Sequence, residues 1–255
     1  MLSTERLTKE FYGLTAVSDV SYKIEEGKVL GIIGPNGSGK TTFLNLLSGA
    51  LPCTRGKIFF DEKDITHIPA HERVKMGISR AFQITNIFLK LTVFQNILVG
   101  LLREKETSGS RFMFTSISKY TRIYQEAERI LEDTYLVKEK DSLAMNIPHG
   151  SQRRLEMAMC LSTKPKLLLL DEPFAGLTAE EIHVMLKFIQ EDLATKYTIV
   201  IVEHHIHEIM RLAERIMLMK SGKLIAEGTP EELRDNQAAR EAYLGAYADR
   251  GRKEC

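Results

Sequence analysis

"KVLGIIGPNGSGKTTFLNLLSG", residues 28–49, decides the fold. The apolar run "VLGII" reads as a strand buried on both faces. It passes into a loop carrying Gly34, Gly37 and Gly39, then into the helical pattern "TTFLNLLS", which stops at Gly49. Strand, glycine loop and helix in that order supply the context that gives G-x-x-x-x-G-K-[ST], from Gly34 to Thr41, its meaning. Glycines let successive backbone N–H groups converge on a phosphate, and the helix N-terminus adds a favourable dipole. Lys40 is expected to neutralise the β- and γ-phosphates and the Thr41 hydroxyl to ligate Mg²⁺. Pro35, Asn36, Ser38 and Thr42 complete the expected cradle.

Working outward, "KLLLLDE" (166–172) and "YTIVIVE" (197–203) read as two more buried strands, with the helical pattern "AEEIHVMLKFIQEDLA" between them. Alternating strands and helices imply a parallel sheet with helices on its faces. In such sheets ligands gather at the carboxyl ends of the strands, where Asp171, Glu172 and His204 stand. Asp171 suits a contact to Mg²⁺, directly or through water, and Glu172 can polarise a water for in-line attack. His204 is placed to meet a γ-phosphate. His204, His205 and His207 also raise the question of a metal site, but no carboxylate or cysteine set completes a zinc geometry.

Elsewhere Val20, Tyr22 and Ile24 alternate with polar residues, the pattern of a half-buried strand near a sheet edge. "GKIFFDEKD" (56–64) reads as one further strand, and "RIMLMKSGKLIAEG" (215–228) as a hairpin turning at Ser221–Gly222. Thr229, Pro230 and Glu232 open a helix through a capping box. Residues 84–150 read as a mostly helical insertion. Thr92 and Gln95 cap "VFQNILVGLL", while Tyr120, Ile123, Tyr124, Ala127 and Leu131 mark a second helix. In "NIPHGSQRRLEMAMC" (146–160) the spacing of Leu155, Ala158, Met159 and Ser162 predicts a helix after Gly150. The expected organisation is an α/β core from 1–83 and 161–255, interrupted by a helical subdomain over 84–160.

Composition narrows the partners. The 255 residues carry 35 basic and 34 acidic side chains, a net charge of +1, so no global field draws the chain to nucleic acid or an anionic membrane. Cys53, Cys160 and Cys255 lie far apart and form neither a metal set nor a disulfide framework. No N-terminal apolar segment reads as a signal peptide, and no apolar run is long enough to span a bilayer. The expectation is a soluble chain that reaches a membrane through a partner, with no nucleic-acid partner.

Together these pieces resemble the ABC ATPase family, the nucleotide-binding subunits of ABC transporters. "GPNGSGKTT" is similar to its Walker A, "LLLLDEP" to its Walker B with the catalytic Glu172, and "SRAFQ" to its Q-loop with Gln83. "IPHGSQRR" resembles its signature motif, "AGLT" its D-loop, and "VEHH" its switch region with His204. The resemblance implies an α/β P-loop NTPase (ABC ATPase) core with a parallel sheet, an antiparallel β edge and an inserted helical subdomain. It also implies ATP and Mg²⁺ as cofactors, with Gln83 beside Thr41 and Asp171 at the metal, and Tyr12 stacked on adenine, Phe11 being the fallback. Two such chains in this family sandwich ATP, each signature facing the other's Walker A, which adds His149, Gly150 and Ser151 to the expected phosphate contacts.

"HGSQRRLE", "DEPFAG", "VEHH" and "AYLG" are closest to the subgroup serving branched-chain amino acid, amide and urea importers. Lipopolysaccharide-export ATPases share much of this pattern and form the alternative; a nucleotide-binding regulatory subunit with little hydrolysis is another. The expected partners are permease subunits and a second ABC ATPase, with the chain held peripherally on the cytoplasmic face of the membrane. Three departures from the family stand out: Pro148 replaces the signature serine, Thr178 the D-loop aspartate, and His205 the aspartate after the switch histidine. Pro148 offers no hydroxyl, so the expected partner is a different ATPase subunit, a homodimer being the alternative. Ile87, Phe88 and Leu89 are expected to line a groove for a permease helix.

Overall fold

The computed structural model describes residues 1–81, 87–103 and 117–241. Its central sheet is built from β3 (Val29–Ile33), β6 (Ile78–Ala81), β7 (Leu167–Asp171), β8 (Thr198–Val202), β9 (Arg215–Lys220) and β10 (Lys223–Gly228). They lie in the order β10-β9-β3-β8-β7-β6, all neighbours parallel except the β9–β10 hairpin. A second, antiparallel sheet holds β1 (Leu2–Phe11), β2 (Leu14–Ile24), β4 (Arg55–Phe60) and β5 (Lys63–Asp64), in the order β2-β1-β4-β5.

The continuous apolar runs are explained by burial on two faces. Leu168 and Leu170 of β7 and Ile199 and Ile201 of β8 enter one core, shared with α6 (Ala179–Lys187) and α7 (Ile206–Leu212). Their neighbours Leu167, Leu169, Val200 and Val202 enter the other, which holds α1 (Lys40–Ser48) and the antiparallel sheet. Each such side chain contributes roughly 1.5–3 kcal/mol by leaving water, which is why a polar residue is hard to place anywhere in these strands.

α2 (Ala70–Met76) supplies Arg73, a buried guanidinium that donates to the carbonyls of Leu46 and Leu47 at the end of α1. Burial lowers its pKa to about 10. A third apolar cluster joins α3 (Val93–Arg103), α4 (Ile117–Asp133) and α5 (His149–Leu161). α5 serves two layers, placing Leu155 and Ala158 among the helices and Met157 and Leu161 against the sheet. α8 (Pro230–Asp235) begins at the Thr229–Glu232 capping box.

Residues 56–64, read as one strand, form two: the chain reverses at Asp61 and Glu62, whose φ values of 47° and 65° suit a two-residue hairpin. β1, β6 and α2 were not anticipated. Ile87 also departs from expectation. It is buried in the helical cluster, whereas Phe88 and Leu89 stand about half exposed.

Candidate active site

β3, β8 and β7 lie side by side, and each releases one part of a site from its carboxyl end. After β3 the chain turns through Gly34, Gly37 and Gly39, at φ 152°, 75° and 99°. A Cβ at Gly34 would fall 2.1 Å from the Met219 carbonyl oxygen, and one at Gly39 2.2 Å from that of Ala16. At Gly34 and Gly39 glycine is therefore required by space as well as by φ. The loop delivers the first-turn N–H groups of α1, which have no carbonyl partner within the helix. Lys40 is buried, and its Nζ donates to the carbonyls of Gly34 (2.8 Å) and Pro35 (3.1 Å). Burial pushes its pKa down, while Glu172, Asp171 and Glu203 push it back up.

The cleft over this loop holds about 690 Å³ and is lined by Asn36 to Thr42, Phe11, His204 and Ser221, among others. Phe11 lines it, whereas the ring of Tyr12 stands wholly in solvent. After β7 come Asp171 and Glu172. Asp171 is buried and its Oδ2 accepts from Arg80 of β6 at 2.7 Å; Arg80 also bonds Asn45 and Ser48 of α1. Burial raises the Asp171 pKa against the pull of Arg80. Glu172 sits in the left-handed region at φ 53°, its N–H donating to Val202. After β8, His204 Nε2 meets Glu172 Oε1 at 2.8 Å. A carboxylate and an imidazole thus face each other at the mouth of a glycine-loop cleft, an arrangement able to orient and deprotonate a water.

Two buried polar atoms here have no partner among the described residues, Ser38 Oγ and Asp171 Oδ1. Such atoms are costly unless a ligand or ordered water meets them. A phosphate at the loop and a hydrated Mg²⁺ beside Asp171 and Thr41 fit those needs. Gln83 lies outside the described residues.

His149, Gly150 and Ser151 do not line this cleft. Pro148 is the N-cap of α5, at φ −54° and ψ 153°, and makes no side-chain cap bond. The Gly150 N–H donates to Glu181 Oε1 at 2.9 Å, while Glu181 Oε2 accepts from the Thr178 N–H, so the Glu181 pKa is held below its usual range. Ser151 is buried, its hydroxyl accepting from Arg154 and donating to Glu139. Its place in the first turn of α5 points it at the helical layer. His149 is exposed beside Gly176. Arg80, Glu181 and Glu203 were not singled out from sequence. Of the three, only Arg80 carried a signal, a basic residue three before Gln83 in "SRAFQ".

A family model described as "ABC transporter" matches residues 17–175, and one described as "Branched-chain amino acid ATP-binding cassette transporter" matches 223–249. The chain belongs to the ABC transporter ATPase family. This ABC ATPase is 38% identical to a probable branched-chain amino acid transport ATP-binding protein LivG of Archaeoglobus fulgidus, with 96% of each chain covered. It is 36% identical to the high-affinity branched-chain amino acid transport ATP-binding protein BraF of Pseudomonas aeruginosa, over 96% of this chain and 98% of that one. The lipopolysaccharide export system ATP-binding protein LptB of Haemophilus influenzae is 31% identical over 96% and 97%. Among solved structures, the ADP conformation of an ABC transporter cassette aligns with a TM-score of 0.83 at 30% identity, covering 96% of this chain and 98% of that one. ABC ATPases bind ATP and hydrolyse it to power transport. No described helix is long and apolar enough to cross a membrane.

Proposed function

We propose that this ABC ATPase energises a permease importing branched-chain amino acids or related amides or urea, and that Glu172 and His204 perform the hydrolysis. The observation that carries the chemistry is the 2.8 Å contact between His204 Nε2 and Glu172 Oε1 beside the loop that holds Lys40. In this reading ATP lies on the N–H groups of Asn36 to Thr42, with its base near Phe11 and Tyr12. Lys40 leaves the Gly34 and Pro35 carbonyls for the β- and γ-phosphates. Glu172 accepts a proton from the attacking water, and His204 holds the γ-phosphate and the carboxylate in register. Thr41, Asp171 and Gln83 would hold Mg²⁺, which supplies charge neutralisation at the phosphates. The substrate class rests on the similarity to LivG and BraF. The match to LptB supports the second reading, export of lipopolysaccharide.

The proposed division is a core of 1–83 and 161–255 with a helical subdomain at 84–160 bearing the signature and the permease contact. The chain would sit peripherally on the cytoplasmic face, bound to permease subunits. Pro148, and the engagement of the Gly150 N–H by Glu181, favour pairing with a different ATPase whose own signature completes the Lys40 site. A regulatory role without turnover is disfavoured because Glu172 and His204 already touch. The test is Glu172→Gln. ATP binding should persist while turnover falls at least 100-fold, since the amide cannot take the proton. Turnover near that of the parent removes Glu172 as the base.

A further inference from the structure

Glu203, a carboxylate only 1% exposed, directly follows β8. Buried carboxylates are tolerated where donors surround them, and this one has donors from two directions. Its Oε1 accepts the N–H of Phe174 at 2.9 Å. Its Oε2 accepts the N–H groups of His204 (2.8 Å) and His205 (3.3 Å) and meets His205 Nδ1 at 3.0 Å. Phe174 is fully buried and lies two residues after Glu172. The two oxygens therefore bind two different loops, the one that follows β7 and carries Glu172 and the one that follows β8 and carries His204. Those loops are the ones whose side chains meet across 2.8 Å. The backbone of Glu203 is itself anchored, its N–H reaching the Ile32 carbonyl on β3 at 3.3 Å.

We infer that Glu203 is the positioning residue of this ATPase, a buried clamp that sets the distance between Glu172 and His204. The family's departure at His205 is then functional packing: its imidazole joins the same carboxylate where an aspartate would repel it. Glu203 touches neither nucleotide nor water in this reading. It acts by holding two loops whose end positions would otherwise vary independently, and a shift of about 1 Å at such a contact is enough to cost roughly 100-fold in rate. The inference rests on the assignment of Glu172 and His204 above.

The experiment measures ATP turnover by the full-length chain assembled with its permease, together with fluorescent-ATP binding and thermal unfolding. Glu203→Gln keeps the shape but turns one acceptor into a donor facing N–H groups. It should lower kcat at least 10-fold while KM and ATP affinity stay within threefold. In a His204→Ala background the same change should cost less than twofold, because the distance it maintains no longer matters. Glu203→Asp keeps the charge but is one methylene too short to serve both loops, and should lower kcat at least fivefold whether or not the glutamine variant folds. The inference is overturned if either folded variant turns over within twofold of the parent. It is equally overturned if the glutamine change costs the same factor with and without His204, or if ATP affinity falls in step with kcat. If His204→Ala and Glu172→Gln themselves turn over normally, the site assignment fails instead.

Discussion

Replacing Pro148 by serine should strengthen the signature of this chain twice over. Pro148 already holds φ −54° and ψ 153° as N-cap of α5, extended geometry that serine adopts without strain. The first effect is local: the new hydroxyl can accept a first-turn N–H, worth about 1 kcal/mol to the helix. For a chain of this length that is a rise in Tm of about 2–4 °C. The second effect appears when two copies close on ATP. A hydroxyl donating to a charged phosphate oxygen contributes about 1.5 kcal/mol at the low end. A homodimer carries the change at both sites, so the sum is about 3 kcal/mol, roughly 100-fold in the dimer dissociation constant. The Gly150 N–H remains on Glu181, so it adds nothing to this figure. The assay is analytical ultracentrifugation with ATP, in a Glu172→Gln background that prevents hydrolysis. A dissociation constant within threefold of the Pro148 chain would refute the reasoning, and with it the argument that Pro148 calls for a different partner.

Gly39→Ala should lower stability by about 3 kcal/mol or more in thermal unfolding, since the methyl would meet the Ala16 carbonyl at 2.2 Å in a left-handed backbone. Gly37→Ala, with open space around it, should cost only about 1 kcal/mol, and equal losses would remove the steric argument. Phe88→Asp should abolish transport in reconstituted vesicles and leave Tm within about 1 °C, because the ring is 48% exposed. Ile87→Asp, in the helical cluster, should instead lower Tm by many degrees; a similar loss in both would place Phe88 in the core.

Much of this was legible in the chain because the signals were local or strictly periodic. The runs at β3, β7 and β8 alternate between two cores, so every position is apolar and the strands announce themselves. The Thr92–Gln95 and Thr229–Glu232 boxes formed as spaced, since both partners lie three residues apart on one turn. β1 escaped notice for the opposite reason. Register shifts follow Thr4 and Leu7, with Arg6 at φ 44°, so its buried residues Leu2, Thr4 and Leu7 do not keep a period of two. β6 is four residues long and carries Arg80, too short and too polar to read as a strand.

The sequence by itself determined the family, the glycine loop, and the residue types at the ends of β3, β7 and β8. Chemistry tied to a contiguous motif is carried by the chain wherever the motif goes. The tertiary structure alone decided which groups those residues meet. Arg80 reaches Asp171 across 91 positions, Glu181 takes the Gly150 N–H across 31, and Glu203 reaches Phe174 across 29. None of these separations follows a helical or strand period. The Arg80–Asp171 and Glu203–Phe174 contacts arise because a parallel sheet brings the ends of strands distant in sequence within hydrogen-bond reach, and the Glu181–Gly150 contact because α5 and α6 pack together over that sheet.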